Sequence, residues 1–197
     1  MNEQYKQRSI IWDSERRIDS VINVFPPLIQ QTLLYLDAEN ALEFPDEEIS
    51  SAYIYGENGV GKTTKAVLMI IQEKRFCFLN KQPLSFIFIN IPELLLKFRS
   101  TFSDDSEETE QEILERYTEV DLLVLDDFGV EKITDWSFQM LYILINRRYE
   151  YMKKTIYTSN FNLEQLAEKL GDDRIPSRIQ EACEEINLKG KNFRSKL

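Results

Sequence analysis

The sequence contains no histidine and only two cysteines, which excludes several kinds of catalytic and metal site. Without histidine, acid–base chemistry by an imidazole and metal sites with histidine ligands are excluded. Cys77 and Cys183 lie far apart in the chain and match no spacing of metal ligands. We interpret them as unpaired thiols of a protein from a reducing compartment, so the expected location is the cytoplasm.

Long apolar runs and an excess of positive charge are also missing. No apolar stretch approaches the roughly 20 residues of a membrane-spanning helix, and the first residues, MNEQYKQRSI, do not resemble a signal peptide. We therefore expect no membrane association. The net charge of -10 argues against a broad basic surface for nucleic acid. A local basic strip is compatible with this charge, and its candidate residues are Arg99, Arg147, Arg148, Lys153 and Lys154.

Glycine is scarce, yet three of the six glycines fall within the stretch GENGVGKTT at residues 56–64. The pattern G-x-x-x-x-G-K-T is typical of a phosphate-binding loop, in which glycines let backbone N–H groups converge on one point. The stretch follows an apolar run at 52–55 and precedes residues with helical spacing, which is the strand–loop–helix context of this motif. A glycine-rich turn with a chance lysine is the alternative.

The residue types of this loop predict a site for ATP and Mg²⁺. Lys62 is expected to bind the β- and γ-phosphates, and the Thr63 hydroxyl is expected to bind the metal ion. The residues predicted to contact the nucleotide are Gly56, Glu57, Asn58, Gly59, Val60, Gly61, Lys62, Thr63 and Thr64. The loop alone does not indicate what the hydrolysis of a nucleotide would serve.

Apolar segments alternate with segments of helical periodicity, which predicts an α/β fold. The predicted strands are 52–55, 85–91, 121–129, 154–160 and the segment EEINLKG at 184–190. Between them lie predicted helices, including one that Asn162 begins and Gly171 ends. This alternation is typical of a parallel sheet covered by helices on both faces, in which ligands bind beyond the carboxyl ends of the strands.

Two carboxylates follow the third predicted strand, in the run LLVLDD at residues 122–127. Asp126 is expected to hold Mg²⁺ through a water, because Mg²⁺ keeps several of its waters in proteins. Asp127 is a candidate to orient or deprotonate the attacking water. Two acids in an ordinary strand-end turn are the alternative.

The fourth predicted strand ends in the polar segment TSN at residues 158–160. Asn160 is expected to lie beside the carboxylates of the third strand, where it positions the water or senses the γ-phosphate. A plain turn is the alternative, because serine and asparagine favour turns.

Arg174 and Arg178 lie four residues apart in the segment DDRIPSRI and are expected on the same side of a short helix. A guanidinium always stays charged, which suits the charge of a phosphoryl-transfer transition state. Ion pairs with Asp172 or Glu181 at the surface are the alternative.

In this order, these motifs resemble the AAA+ ATPases of the DnaC/DnaI helicase-loader and IstB group. The resemblance runs from about Ser51 to Arg194 and rests on the segments GENGVGKT, DLLVLDDFGVE, INRRYE, TIYTSNF, LGDDRIPSRI and KGKNFR. It implies a P-loop NTPase of the ASCE type. Its fold would be a three-layer αβα arrangement around a five-stranded parallel sheet of order 5-1-4-3-2.

The resemblance also implies roles for single residues. Asn160 would be the polar sensor, Arg178 the arginine finger supplied to a neighbouring subunit, Arg174 its assistant, and Arg194 a second sensor. The implied activity is Mg²⁺-dependent ATP hydrolysis in ATP-dependent assemblies of the chain. Members of the group often carry glutamate where Asp127 stands, and the shorter side chain predicts slow hydrolysis.

The implied function is the loading of a replicative DNA helicase, with weak, ATP-dependent binding of single-stranded DNA. An IstB-like ATPase that delivers a transposase to DNA is a close alternative, and a small-molecule P-loop kinase is a more distant one. Loaders usually carry a separate N-terminal domain, whereas the first predicted strand here begins at residue 52 and no zinc pattern precedes it. We expect residues 1–45 to form a helical extension and residues 46–197 to form the AAA+ core without a separate C-terminal lid.

Overall fold

The structure is a computed structural model that describes residues 22–38, 47–103 and 108–190, and the chain forms two compact units. The sheet unit contains residues 50–66, 83–103 and 108–190, and the helical unit contains residues 22–38, 47–49 and 67–82. The predicted boundary at residue 45 falls outside the described residues. The division into an extension and a core therefore stays a prediction.

Five parallel strands form the sheet: β1 Ala52–Tyr55, β2 Phe86–Asn90, β3 Leu122–Phe128, β4 Lys154–Ser159 and β5 Glu184–Asn187. Their order is β2-β3-β4-β1-β5, which confirms the predicted order 5-1-4-3-2 read from the other edge. At the carboxyl ends, Tyr55 lies beside Ser159 and Asn187, and Phe128 lies beside Ser159. The loops that follow β1, β3 and β4 therefore meet at one edge of the sheet.

The described part of the chain contains seven α-helices: α1 Pro27–Ala38, α2 Lys62–Leu79, α3 Ile91–Ser100, α4 Glu110–Glu119, α5 Asp135–Glu150, α6 Leu163–Leu170 and α7 Arg174–Ala182. A short 3-10 helix, Ile22–Val24, precedes α1. Of the helices that the structure describes, none has the length and apolar character needed to cross a bilayer. The alternation of strands and helices confirms the predicted α/β class.

Polar side chains fix where several helices begin. The first turn of a helix leaves backbone N–H groups without helical partners, and a preceding side chain can accept from them. Asn90 does so at α3, and Thr109 forms a reciprocal capping box with Glu112 at α4. Asn162 caps α6, and Gly171 ends it in a left-handed conformation with a φ of 67°, as the sequence predicts.

Helices α3 to α7 pack on one face of the sheet through a large apolar cluster. Tyr53, Leu123, Leu125 and Tyr157 supply its strand side. Its helical side includes Leu94, Phe98, Ile113, Leu141, Leu144, Leu166 and Ile179. Burying a side chain of this size contributes about 1.5–3 kcal/mol, so the cluster holds the strands and their carboxyl ends firmly in register.

Arg148 lies inside the sheet unit, only 1% exposed, and joins α4, α5 and β4. Its guanidinium donates to the carbonyls of Tyr117, Thr118, Val120 and Lys154 and to the Thr155 hydroxyl. Several of these carbonyls end α4, where helical partners are missing. Burial lowers the pKa of Arg148 to about 10, so it stays charged at neutral pH. The prediction that Arg148 belongs to a basic strip for DNA is therefore wrong, because the side chain is not accessible.

In the helical unit, two hydrogen bonds connect residues 47–49, which precede β1, to α2. The carboxylate of Glu73 in α2 is buried and accepts from the backbone N–H of Ile49 at 3.0 Å. The side-chain amide of Gln72 donates to the carbonyl of Glu47 at 3.1 Å. These two contacts hold residues 47–49 against the helix that begins at Lys62.

Candidate functional site

Residues 56–61 form a tight loop between β1 and α2. Gly56, Gly59 and Gly61 all have positive φ, at 153°, 82° and 93°. A Cβ at Gly56 would lie 2.2 Å from the carbonyl oxygen of Leu188, so only glycine fits there. At Gly61 a Cβ would meet no atom within 4 Å. The loop therefore packs closely on one side and leaves open space for a ligand at Gly61.

Lys62, the first residue of α2, is 6% exposed, and its ammonium joins the loop to the end of β4. Nζ donates to the carbonyls of Gly56 at 3.0 Å and Glu57 at 2.9 Å, and to Oδ1 of Asn160 at 2.8 Å. An ammonium has only donors, so each of these contacts places an oxygen where a phosphate oxygen could replace it. The structure thus brings the predicted phosphate-binding lysine into contact with Asn160.

Asp126 lies near the end of β3, 6% exposed, and accepts hydrogen bonds from two hydroxyls. Thr63 Oγ1 donates to its two carboxylate oxygens at 3.0 and 3.2 Å, and Thr158 Oγ1 donates to Oδ1 at 2.6 Å. Burial raises the pKa of Asp126, and the carboxylate of Asp127 raises it further, while the two hydroxyls and Lys62 lower it. The Thr63 hydroxyl and the Asp126 carboxylate fit Mg²⁺, which binds through one or two carboxylates, phosphate oxygens and waters.

Asp127 occupies an irregular position in β3. Its φ of 60° is in the left-handed region, and the register between β3 and β4 shifts between Leu125 and Phe128. Asp and Asn adopt such a conformation several-fold more often than other non-glycine residues. Asp127 is half-buried, whereas Asp126 is buried. The irregularity therefore gives two consecutive carboxylates different surroundings.

A cavity of 440 Å³ adjoins the loop. Its lining includes Gly56, Glu57 and Asn160, together with Lys189 in the segment that follows β5. Lys189 adds a cation to the site that the sequence did not single out. Arg194, the predicted second sensor, lies outside the described residues.

Arg174 and Arg178 both contact α5. Arg174 forms a two-point contact with Asp172, and its guanidinium lies 5.2 Å from the Phe138 ring centroid and 4.9 Å from that of Tyr142. Arg178 Nε donates to Asn146 at 3.1 Å.

Both ion pairs that the sequence offered as an alternative are present. Arg174 pairs with Asp172 at 2.8 Å, and Arg178 lies 3.7 Å from Glu181. None of the described contacts of either arginine reaches Lys62, Thr63 or Asp126 of its own chain. Within one chain, the structure does not bring the two arginines to the phosphate-binding loop.

Thr158 and Ser159 belong to the site, although the sequence predicted a role only for Asn160 in the TSN segment. Thr158 contacts both acids of β3, and Ser159 Oγ donates to the carbonyl of Phe128 at 2.7 Å. Their hydroxyls could have been recognised from the sequence because they lie in a predicted buried strand, where a polar group needs a hydrogen-bond partner. The sequence does not show which partner that is.

Replacing Asp126 with asparagine is expected to stabilise the ligand-free protein. A carboxyl pKa that is raised by folding means that wild-type stability falls as the pH rises through that pKa. Asparagine keeps an oxygen for Thr63 and Thr158 without the charge. At neutral pH, thermal unfolding should show a higher Tm for Asp126→Asn, by about 2–4 °C for each kcal/mol gained. The difference should vanish below pH ~3.9, the usual aspartate pKa, and a lower Tm at neutral pH would contradict this account.

Comparison with known proteins relates the chain to ATP-binding proteins. The family model described as IstB-like ATP binding protein matches residues 37–197. Replicative helicase loader DnaI of Bacillus subtilis is 26% identical over 156 residues, which cover 72% of this chain and 47% of DnaI. The putative ATP-binding protein of insertion sequence IS232 from Bacillus thuringiensis subsp. berliner is 26% identical over 187 residues, covering 92% of this chain and 69% of that protein.

The solved structures agree with this relationship. A crystal structure of the DnaC helicase loader is similar with a TM-score of 0.60 and 25% identity, over 89% of this chain and 100% of that chain. The chain spans about half the length of the curated loaders it matches, 47% of DnaI and 55% of DnaC from Escherichia coli. The fold is that of an AAA+ P-loop domain. Because the family match includes all five strands and the loop at 56–61, the chain belongs to the family of IstB-like ATP binding proteins.

Proposed function

We propose that this chain is a Mg²⁺-dependent AAA+ ATPase that helps to load a replicative DNA helicase. The observation that carries this proposal is the contact set at the loop, where Lys62 bonds to Asn160 and Thr63 bonds to Asp126. These four residues come from α2, β3 and the end of β4. An ammonium, a hydroxyl, a carboxylate and an amide are the groups that bind phosphate, Mg²⁺ and an attacking water.

In the proposed reaction, backbone N–H groups of residues 57–64 bind phosphate oxygens, and Lys62 exchanges its carbonyl partners for the β- and γ-phosphates. Thr63 and Asp126 would hold Mg²⁺, which would neutralise charge on the phosphates. Asp127 takes a proton from the attacking water as the new bond to the γ-phosphorus forms and the bond to the oxygen of ADP breaks. Asn160 orients that water or contacts the γ-phosphate.

The contact between Lys62 and Asn160 supports a link between ATP binding and the segment after β4. When Lys62 turns to phosphate, Asn160 Oδ1 loses a donor that lies 2.8 Å away. The Asn160 side chain is then available to the γ-phosphate or to water through its amide group. Because α6 begins three residues later, at Leu163, Asn160 is well placed to pass this change to the helix.

We also propose that the site is completed by a neighbouring copy of the chain. Arg178 uses Nε for Asn146, and its 3.7 Å separation from Glu181 is too long for a good hydrogen bond. Its guanidinium also lies 4.8 Å from the Tyr149 ring centroid, and its terminal amino groups make no short hydrogen bond among the described contacts. Arg174, in contrast, is held by Asp172 through Nε and one amino group. This difference favours Arg178 as the residue supplied to the neighbour and Arg174 as a support.

A transposase is the second candidate partner. The IS232 protein aligns with 92% of this chain, compared with 72% for DnaI. The identities are both 26%, so similarity alone does not separate the two partners. We set the kinase alternative aside because the family match lies with IstB-like ATP binding proteins.

Affinity purification from the native host in the presence of ATP separates the two partners. The tagged wild-type chain should capture a replicative helicase, and the Lys62→Ala variant should capture less of it. Capture of a transposase instead would select the second candidate. If neither is enriched over the Lys62→Ala control, and purified wild-type protein does not hydrolyse ATP, the proposed function is wrong.

We propose that single-stranded DNA binds weakly at an aromatic–basic patch formed by Arg99, Phe102 and Trp136. The Arg99 guanidinium lies 5.8 Å and the Phe102 ring 5.3 Å from the Trp136 ring centroid, and Phe102 is 63% exposed. Aromatic faces beside cations bind single strands without sequence preference. With a net charge of -10, binding should need the several copies of an ATP-dependent assembly.

Fluorescence anisotropy with labelled oligonucleotides tests this patch. Wild-type protein should bind a single strand better than a duplex, and only with ATP. The Phe102→Ala variant should lose this binding. Tighter binding to duplex DNA, independent of nucleotide, would rule the patch out.

A further inference from the structure

Thr158 is fully buried in β4, and its hydroxyl lies between the two acids of β3. Thr158 Oγ1 donates to Asp126 Oδ1 at 2.6 Å and accepts from the backbone N–H of Asp127 at 2.9 Å. A buried hydroxyl without partners destabilises a fold. The Thr158 hydroxyl makes one hydrogen bond as donor and one as acceptor, and its two partners are the consecutive residues Asp126 and Asp127.

The strand register explains why a single residue reaches both acids. Leu125 lies opposite Tyr157, and Phe128 lies opposite Ser159. Two residues of β3, Asp126 and Asp127, therefore stand against one residue of β4, which is Thr158. This is the count of a β-bulge, in which an extra residue bends the strand and redirects a side chain.

The backbone of the bulge needs a hydrogen-bond acceptor. At a φ of 60°, the N–H of Asp127 donates to Thr158 Oγ1 at 2.9 Å. A left-handed non-glycine residue is strained and persists only where its surroundings enforce it. Thr158 supplies part of that enforcement.

The other half of the contact orients Asp126. Thr158 takes Oδ1 at 2.6 Å, a shorter contact than either one from Thr63. Oδ2 accepts only from Thr63 among the described contacts. The carboxylate is therefore held from the β4 side by Thr158 and from the loop side by Thr63, whose shorter contact is also to Oδ1.

We propose that Thr158 is a positioning residue that fixes both acids of the site: it orients the Asp126 carboxylate and maintains the bulge at Asp127. This inference rests on the proposed Mg²⁺-dependent ATPase function. Thr158 does not touch the reacting atoms itself. Its contribution is expected to appear in the use of Mg²⁺ and in turnover, and to leave metal-free nucleotide binding by the loop unchanged.

The test compares the near-isosteric Thr158→Val variant, which lacks the hydroxyl, with Thr158→Ser, which keeps it. Binding of a fluorescent ATP analogue is titrated with Mg²⁺, and kcat and KM for ATP are measured separately. Loss of a residue that orients a metal ligand typically costs ~10–100-fold in metal affinity or activity. Thr158→Val should raise the half-saturating Mg²⁺ concentration and lower kcat by this order. Its KM and its metal-free nucleotide binding should stay within about twofold of wild type, which is well below the ~10–100-fold range. Thr158→Ser should behave like wild type.

The matched control is Thr155→Val, which removes another buried hydroxyl from the same strand. The Thr155 hydroxyl accepts from Arg148 Nε at 2.9 Å, and Thr155 lies opposite Leu123 of β3, away from the bulge. This control should lower the Tm while leaving the Mg²⁺ titration and kcat unchanged. If Thr158→Val does not fold, Thr158→Cys serves in its place, because a thiol is a weak donor and acceptor.

The outcomes separate this inference from the function on which it rests. A wild-type protein that binds nucleotide without hydrolysing it, but whose Mg²⁺ response shifts in Thr158→Val, would support Thr158 and reject the ATPase. An unshifted Mg²⁺ response in folded Thr158→Val or Thr158→Cys would overturn the proposal. So would a shift of equal size in Thr158→Ser or Thr155→Val, or wild-type binding that ignores Mg²⁺.

Discussion

Replacing Arg178 with alanine is expected to lower ATP hydrolysis strongly while leaving ATP binding nearly normal. An arginine supplied by a neighbouring subunit is typically worth ~10³–10⁵ in turnover in phosphoryl transfer, because its charge stabilises the transition state. Arg178 contacts Asn146 and no residue of its own loop among the described contacts. Steady-state hydrolysis and analogue binding measure the two effects separately.

Mixing two inactive variants tests whether Arg178 acts between subunits. Arg178→Ala keeps a complete loop, and Lys62→Ala offers an intact Arg178. Together they should recover part of the activity, and recovery should rise with total protein concentration. Arg147→Ala, which removes a partly exposed arginine of α5, is the matched control and should hydrolyse ATP normally. A mixture that stays inactive under conditions where wild-type subunits assemble would show that Arg178 acts within its own chain or only supports the fold.

Replacing Asp127 with asparagine is expected to separate ATP binding from turnover. Removing a group that orients or deprotonates water typically costs ~10²–10⁴-fold, while Thr63 and Asp126 still form the metal-binding pair. Asparagine is a suitable replacement because it tolerates the φ of 60° at this position. Affinity should therefore be near normal and single-turnover hydrolysis should be slow. Hydrolysis at the wild-type rate would exclude Asp127 as the base.

The conformation of Asp127 gives a physical reason for a short acidic residue at this position. Its left-handed backbone favours a short polar side chain. The sequence could not reveal this, because the bulge depends on the pairing of β3 with β4 and on the Thr158 hydroxyl. These contacts join residues about thirty positions apart, and no local pattern in LLVLDD predicts them.

Local signals predicted the fold well where one segment determines its own structure. The apolar runs gave the strands, and Asn162 and Gly171 marked the two ends of α6. The strand order came from the resemblance, since periodicity does not say which strands are neighbours. The loop was predictable because three glycines and a lysine occur together.

Long-range packing decided the rest. Arg148 lies in the segment INRRYE and has the charge of a surface residue, but the carbonyls at the end of α4 bind it in the interior. Lys62 belongs by sequence to the phosphate-binding loop, yet in the structure it begins α2 and is 6% exposed. In both cases the partners of the cation come from distant segments, so the sequence indicated the residue type without its surroundings.

The central claim is that ATP binds at the loop through Lys62. The most direct measurement is the equilibrium affinity of a fluorescent ATP analogue for wild-type protein and for Lys62→Ala, with the exposed Lys65→Ala as a matched control. Hydrogen bonds to charged groups contribute ~1.5–3 kcal/mol each, so folded Lys62→Ala should bind at least ~10-fold more weakly. Lys65→Ala should bind like wild type. Equal affinity of folded Lys62→Ala and wild-type protein would contradict the account.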